Sequence, residues 1–455
     1  MIVPDNLTER LADFVAATRL EHLPASARER ARIVLVDAVA SALMGGRSTE
    51  VRQIERLARA VAGPGQSPVI GRPPLANAGA VLVNGYLVTA TTVCDVHRPT
   101  LCHVTPEVLP PALAVAAERG VPGADFLLAF ALGLEITTRV ALGCNYPAFR
   151  ARGWHSPGVW GPFGGAAAAG KLLGLGPRRL RNALGLAGSQ SAGTFAHWGT
   201  PTIKFHQSRG ALSGYLAATL ADTGFEAAAD VLTAADGGLY RAYSDGGRPA
   251  LALDGLGARW ELERISLRPW PLASSLQAMA TALLHLVEAE AAHASTVRRV
   301  RVGLSRTVYD MHGTLPWDDR FHALLSAPFV AAVILADRAC GLDQFTPERL
   351  KDAAVDRYAR DSVEVVADGS VQGTGAVVEL EFADGRRARD RRAVPHGDEA
   401  DPLSMADVRA KFLTAADGVL PPQRAALALD RLEHVDDAPV VDAAFLGPLA
   451  GDAAR

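Results

Sequence analysis

The densest group of ionisable side chains lies in Cys94-Asp95-Val96-His97-Arg98-Pro99-Thr100-Leu101-Cys102-His103, where one carboxylate and two imidazoles fall within nine residues. Histidine changes charge near neutral pH, so such a group suits general acid–base work. An Asp-x-His followed by a further His also offers metal-ligand types. A solvated loop is the third reading, because Pro99 and Pro106 predict irregular backbone here.

A second candidate is His155, in Arg150-Ala151-Arg152-Gly153-Trp154-His155-Ser156-Pro157. It is either a proton carrier or a hydrogen-bonded structural His. A third stretch, Thr200-Pro201-Thr202-Ile203-Lys204-Phe205-His206-Gln207-Ser208-Arg209, sets three basic groups before a run of small residues. Lys204 suits a substrate carboxylate as a point charge and Arg209 as a bidentate fork. The plainer reading is an exposed helix start, although basic side chains there oppose the helix dipole. One apparent motif is dismissed. Gly165-Ala166-Ala167-Ala168-Ala169-Gly170-Lys171-Leu172 imitates a phosphate loop, but Leu172 stands where Ser or Thr must bind magnesium, and four Ala favour helix.

The elements that must hold these residues are mostly helices. Asp5 or Asn6 caps a helix through Leu7, Leu11, Phe14 and Val15, and a second follows Pro24 until Gly45-Gly46. Further helices are expected over 75–92, 107–119, 123–141, 162–174, 177–192 and 208–224. Near Trp260 the pattern changes. Val297–Leu304 alternates as a half-buried strand does, Val363–Ala367 and Val377–Phe382 follow suit, and Asp384-Gly385 is a hairpin turn before the basic run Arg386–Arg392. Helices are expected over 272–291, 321–340 and 346–357, and Ser404 caps a return to helix. The fold class is therefore mainly α. A large all-helical domain (1–265) receives an inserted, smaller α+β lid (266–400), and a C-terminal segment (401–455) rejoins the helices.

Composition narrows the class of function. The chain has 455 residues, 49% hydrophobic and 21% charged, which is an ordinary globular balance and too long for one core. A net charge of −3 provides no basic field for nucleic acid or anionic lipid. The four cysteines form no C-x-x-C pair and are expected as free thiols in a reducing cytoplasm. The amino terminus has no signal-peptide pattern, and no apolar run reaches the roughly 20 residues of a membrane span.

Taken in order, several stretches resemble the MmgE/PrpD family, which includes 2-methylcitrate dehydratases, cis-aconitate decarboxylases and an iminodisuccinate epimerase. They are the helical run Ala31-Arg32-Ile33-Val34-Leu35-Val36-Asp37, the Asp95…His103 loop, Gly133-Leu134-Glu135, Gly153-Trp154-His155, Lys171-Leu172-Leu173-Gly174, Lys204-Phe205-His206, Leu325-Ser326-Ala327-Pro328-Phe329, Val394-Pro395-His396-Gly397 and Lys411-Phe412. The resemblance spans nearly the whole chain.

The resemblance implies a homodimer and a metal- and cofactor-free lyase that moves a proton at a carbon beside a carboxylate of a small di- or tricarboxylate. On it, the catalytic set is His103 and His155 as proton carriers, His97 as a candidate third carrier, and Asp95 orienting an imidazole or raising its pKa through its charge. Lys204, Arg268, His206, Arg209 and Ser274 form the substrate-binding set. Arg268 falls where the family usually has Lys. The sequence also departs from the family pattern. Thr91-Thr92-Val93-Cys94 lacks a further Asp, Leu272-Ala273-Ser274-Ser275-Leu276-Gln277 lacks the lid imidazole, Phe329 stands for a Tyr, and His103 precedes Val104 instead of Pro. An isomerase or epimerase using the same groups is the alternative, followed by altered chemistry or a non-catalytic binding role.

Overall fold

The computed structural model describes residues 6–451. The chain divides into two compact units, one formed by residues up to Ser266 together with those from Ser404 onward, the other by Leu267–Leu403.

The first stretch of the larger unit runs α1 (Leu7–Ala17), α2 (Ala25–Gly45), α3 (Val51–Ala62), β1 (Ser67–Val69), β2 (Arg72–Leu75), α4 (Asn77–Thr89), β3 (Val96–His97), α5 (Thr105–Arg119), α6 (Gly123–Leu142), α7 (Tyr146–Ala151), α8 (Ser156–Leu172), α9 (Pro177–Ser189) and α10 (Thr202–Asp222). The short α11 (Leu239–Tyr243) and α12 (Ala250–Leu253) lead to β4 (Ile265–Ser266). Asn6 caps α1 by accepting from the Glu9 amide. Helices α2, α6 and α8 are buried around most of their circumference, as helices at the centre of a large core must be. Small residues allow this crowding. A Cβ on Gly164 would lie 1.9 Å from Thr137 Oγ1 and 2.5 Å from the Gly133 carbonyl, so α6 and α8 meet backbone to backbone only because both carry glycine there.

Two expectations change here. The 107–119 helix begins at Thr105, so Pro106 belongs to its first turn, where a missing N–H costs nothing. The 162–174 helix begins at Ser156, again with Pro in its first turn. Two antiparallel pairs, β1–β2 and β3–β4, also interrupt what periodicity reads as helix throughout. The Gly165–Leu172 stretch is helical to its end. Lys171 Nζ donates to the carbonyls of Val15, Ala16 and Thr18, which satisfies the C-terminus of α1.

The smaller unit contains α13 (Gln277–Ala289), β5 (Val297–Leu304), α14 (Arg306–His312), α15 (Arg320–Ala323), α16 (Ala327–Asp337), α17 (Pro347–Leu350), α18 (Ala353–Asp361), β6 (Val363–Ala367), β7 (Ala376–Phe382) and β8 (Arg387–Arg392). Its sheet has the order β6-β5-β7-β8, with β5–β6 parallel and the other pairs antiparallel. β8 carries the basic run as an edge strand, whose arginines discourage edge-to-edge pairing. The expected 321–340 and 346–357 helices are each broken in two.

The chain then re-enters the larger unit through α19 (Met405–Ala416), α20 (Pro422–Glu433) and α21 (Ala443–Leu446). Ser404 caps α19 in a reciprocal box with Asp407. Lys411 in α19 reaches Asp37 in α2 at 2.6 Å and the Val93 carbonyl at 2.8 Å, both in the interior. Breaking such a buried pair typically costs about 3–5 kcal/mol. Among the described residues, no helix is long and apolar enough to cross a membrane.

Candidate active site

The backbone from Cys94 to Thr105 is shaped by short pairings. β3 pairs with β4, and His97 also bridges to Cys102, closing a tight turn. This turn delivers Asp95 and His103 to the start of α5. The Asp95 carboxylate accepts from the amides of Val104 (2.8 Å) and Thr105 (3.0 Å) and from the Thr105 hydroxyl. It therefore satisfies orphan donors at the helix start. Burial pushes this carboxyl up to about 6, against the pull of Thr105, His103 and the Val104 amide.

Asp95 does orient an imidazole, but through its backbone. Nδ1 of His103 is 2.6 Å from the Asp95 carbonyl oxygen. A carbonyl only accepts, so Nδ1 of His103 carries a proton.

His97 is fully buried, its Nδ1 2.8 Å from Thr100 Oγ1 and its Nε2 3.5 Å from Glu261. Glu261 in turn binds Arg259 and Arg264 and is held near 2, by those partners and His97 against the effect of burial. The role of third proton carrier expected of His97 is thus not what its surroundings favour. It ties the turn to the segment before β4.

His155 ends the loop before α8, its amide bonded to the Gly193 carbonyl. Its Nδ1 lies 3.2 Å from Nδ1 of His206, on the second turn of α10. Gly158 makes the approach possible, since a Cβ there would stand 2.6 Å from the Ala192 carbonyl and 3.0 Å from His206 Cβ. Burial depresses the His155 pKa well below its ordinary value, and the neighbouring charges of His206, His103, Lys204 and Arg150 add to this. Burial with His197 and Arg209 brings His206 down to about 4. Phe195 packs against the His155 ring and carries the Arg150 guanidinium 3.5 Å above its face.

The basic residues expected ahead of a helix lie inside it, because α10 begins at Thr202. Lys204 is buried there, at 6% exposure, so the exposed-start reading does not apply. Arg209 is different. Its Nη1 donates to the Gln190 carbonyl (2.6 Å) and Ser213 Oγ (3.0 Å), and its Nη2 to the carbonyls of Gly158 (2.9 Å) and Ala192 (2.8 Å). The fork expected for a substrate carboxylate is committed to tying α10 to α8 and the 190–192 loop. His206, expected among the substrate contacts, is instead the partner of His155.

In the larger unit, His103, His155, His206 and Lys204 thus come together. The smaller unit holds Arg268, 1% exposed and donating to the Leu272 carbonyl, and Ser274, which opens a short 3-10 turn before α13. At the end of the Leu272–Gln277 run, which lacks the lid imidazole, Gln277 Nε2 donates to the carbonyls of Trp270 and Leu272. An imidazole does exist nearby, from an unexpected element. His312 of α14 bonds Ser275 Oγ through Nε2 at 2.7 Å.

Sequence reasoning did not single out Arg150, His197 or Glu107. Glu107 is fully buried, with neither carboxylate oxygen hydrogen-bonded, and burial together with Asp95 and Cys94 pushes its pKa well up. Its signal in the sequence, an acid in the first turn of a helix, is the same one that dipole capping gives. Among the described residues, no three His, Cys, Asp or Glu side chains are grouped to hold a metal ion.

The helical core thus buries two paired imidazoles and a lysine beside the half-buried His103, and the comparisons make the protein a lyase. Residues 9–252 match the MmgE/PrpD N-terminal domain and residues 270–434 the MmgE/PrpD C-terminal domain, so the chain belongs to the MmgE/PrpD family. It is 27% identical to a cis-aconitate decarboxylase of Aspergillus terreus, over 94% of each chain. It is 28% identical to the cis-aconitate decarboxylase-like protein oryM of Aspergillus oryzae, over 94% of this chain and 93% of that one. With the cis-aconitate decarboxylase of Mus musculus it shares 26% identity over 99% of this chain and 95% of the other.

Proposed function

We propose that this lyase decarboxylates a small tricarboxylate of the cis-aconitate type, without a metal, by proton transfer at a carbon beside a carboxylate. The observation that carries the reading is the gathering of His103, His155, His206 and Lys204 in the larger unit. The names of the relatives favour loss of CO2 over loss of water.

On this reading Lys204 binds a substrate carboxylate and supplies the fixed positive charge where negative charge develops. The C–C bond to the departing carboxylate breaks, and its electron pair enters the π system conjugated with a neighbouring carboxylate. A proton from an imidazole then quenches the carbanion, leaving the product and CO2. His155, whose pKa lies well below neutrality, is uncharged before substrate binds and delivers its proton from Nε2, since Nδ1 faces His206. His103, when neutral, takes up a proton on Nε2 where the reaction needs one removed.

The test is turnover of cis-aconitate, followed by CO2 release and by proton NMR of the product in water and in D2O. One deuterium is expected in the product, and Lys204→Ala should lower kcat/KM by about 10³-fold, in line with losing an electrostatic contact that grows in the transition state. Undiminished activity after exhaustive chelation is expected. Activity abolished by a chelator and restored by zinc overturns the metal-free part. Deuterium entering a dicarboxylate without net conversion replaces the decarboxylase reading with an isomerase or epimerase.

A further inference from the structure

Three imidazoles form a line from the interior outward. His155 is 6% exposed, His206 is 8% exposed, and His197, on the 3-10 turn Phe195–His197, is exposed. The first two share an Nδ1···Nδ1 contact of 3.2 Å. The ring centroids of His206 and His197 are 5.5 Å apart at 79°, an edge-to-face approach close enough for one bridging water.

The contact between two like nitrogens has a chemical consequence. One ring must donate from Nδ1 and the other accept, so two neutral rings are opposite tautomers. Whichever donates has a lone pair on Nε2, and the other carries a proton there. We propose that His206 and His197 form a proton relay that connects His155 to solvent by tautomer exchange across the Nδ1···Nδ1 contact.

The step balances. A proton enters at His206 Nε2 from the His197 side, the shared proton crosses from Nδ1 of His206 to Nδ1 of His155, and a proton leaves from His155 Nε2. Both rings remain neutral with their tautomers exchanged. Product release lets water protonate His155 Nε2 while the shared proton returns and His206 Nε2 gives one back. Decarboxylation replaces a carboxylate by hydrogen and so consumes one proton per turnover, which the relay delivers while substrate covers His155 Nε2, and water entering after product release makes good the proton and restores the resting tautomers. His206 and His197 act through His155 and are positioning residues in this scheme. The link to turnover rests on the function proposed above, whereas the relay itself is a property of the resting protein.

Two measurements separate the proposals. In protein carrying ¹⁵N-histidine, NMR should show one Nδ1–H and one Nε2–H tautomer for His155 and His206 at neutral pH. The His155 ring proton should exchange with water about tenfold more slowly in His197→Asn, a surface change, and in His206→Asn. Exchange unchanged in both variants, or a pair in which both rings carry Nε2–H, overturns the relay. In the kinetic arm, His206→Ala should lower kcat about 10–100-fold with little change in KM. Added imidazole should restore it, whereas N-methylimidazole, which fills the same space but cannot pass a proton through, should not. Equal rescue by both compounds reduces His206 to a prop and also overturns the relay. Slowed exchange with no turnover of cis-aconitate sustains the relay and removes the proposed substrate.

Discussion

Each unit buries an imidazole whose pKa is depressed, and the two are partnered in opposite ways. In the smaller unit His312 places Nδ1 2.8 Å from the Leu325 carbonyl and Nε2 2.7 Å from Ser275 Oγ. The carbonyl can only accept, so Nδ1 carries the proton and Nε2 accepts from the serine. That tautomer is locked. In the larger unit His155 and His206 face each other through Nδ1, and either ring can donate. The difference teaches that the partner, more than burial, decides whether an interior histidine is a fixed acceptor or a switch. His103 is of the first kind, fixed by the Asp95 carbonyl. The larger unit therefore combines a fixed tautomer with a pair in which either ring can donate, an arrangement that suits the proposed chemistry.

The largest expected effect tests that division. His155→Asn should lower kcat for CO2 release by about 10²–10⁴-fold, the range of a lost general acid. His312→Asn should cost less than about tenfold, because a locked tautomer positions Ser275 without ferrying a proton. Steady-state rates of the two variants decide it. Equal losses would place the locked imidazole in the chemistry and break the comparison.

Which residues would matter was partly legible in the sequence, but their partnerships were not. Periodicity and caps found the helical frame, the turn at Asp384-Gly385 and the cap at Ser404, because these signals are local. β1 to β4 are two to four residues long, too short for alternation to register. His155 and His206 are 51 residues apart, and His312 and Ser275 are 37 apart, so no spacing rule couples them. Arg209 shows the limit most clearly. Its residue type suits a carboxylate, and only the fold reveals that backbone carbonyls already occupy its fork. The same holds for Asp95, whose charge suggested a partner for an imidazole while its carboxylate caps α5.

Arg209 is a fixed group of another kind. Arg209→Met removes the guanidinium donor from the Gln190, Gly158 and Ala192 carbonyls and from the Ser213 hydroxyl, and should destabilise the protein by about 2–4 kcal/mol in urea unfolding. Lys204→Met should raise KM or lower kcat/KM. If Arg209→Met keeps its stability and loses substrate affinity, the guanidinium belongs with the binding groups after all.

The smallest effect is a pH dependence in which the two kinds of histidine behave alike and Asp95 opposes them. His206 and His312 are both lowered to about 4, burial being the main cause for each. An unfolded histidine titrates near 6.5, so below that pH the unfolded chain takes up protons that the folded chain refuses. Each group's contribution is therefore complete above about 6.5 and lost as pH falls toward 4, with a slope of at most about 1.4 kcal/mol per pH unit. Asp95 has the reverse sign. Its folded value, raised to about 6, means that the folded chain binds the proton more tightly than the unfolded one, so stability falls as pH rises toward 6. His312→Asn should flatten the rise in urea midpoint between pH 4 and 6.5, and His206→Asn should flatten it by a similar amount. Asp95→Asn should steepen it, while lowering stability at every pH because its amide nitrogen cannot accept from the Val104 or Thr105 amide. A profile that steepens in the histidine variants would show that these rings are charged in the folded protein, and would remove the neutral pair on which tautomer switching depends.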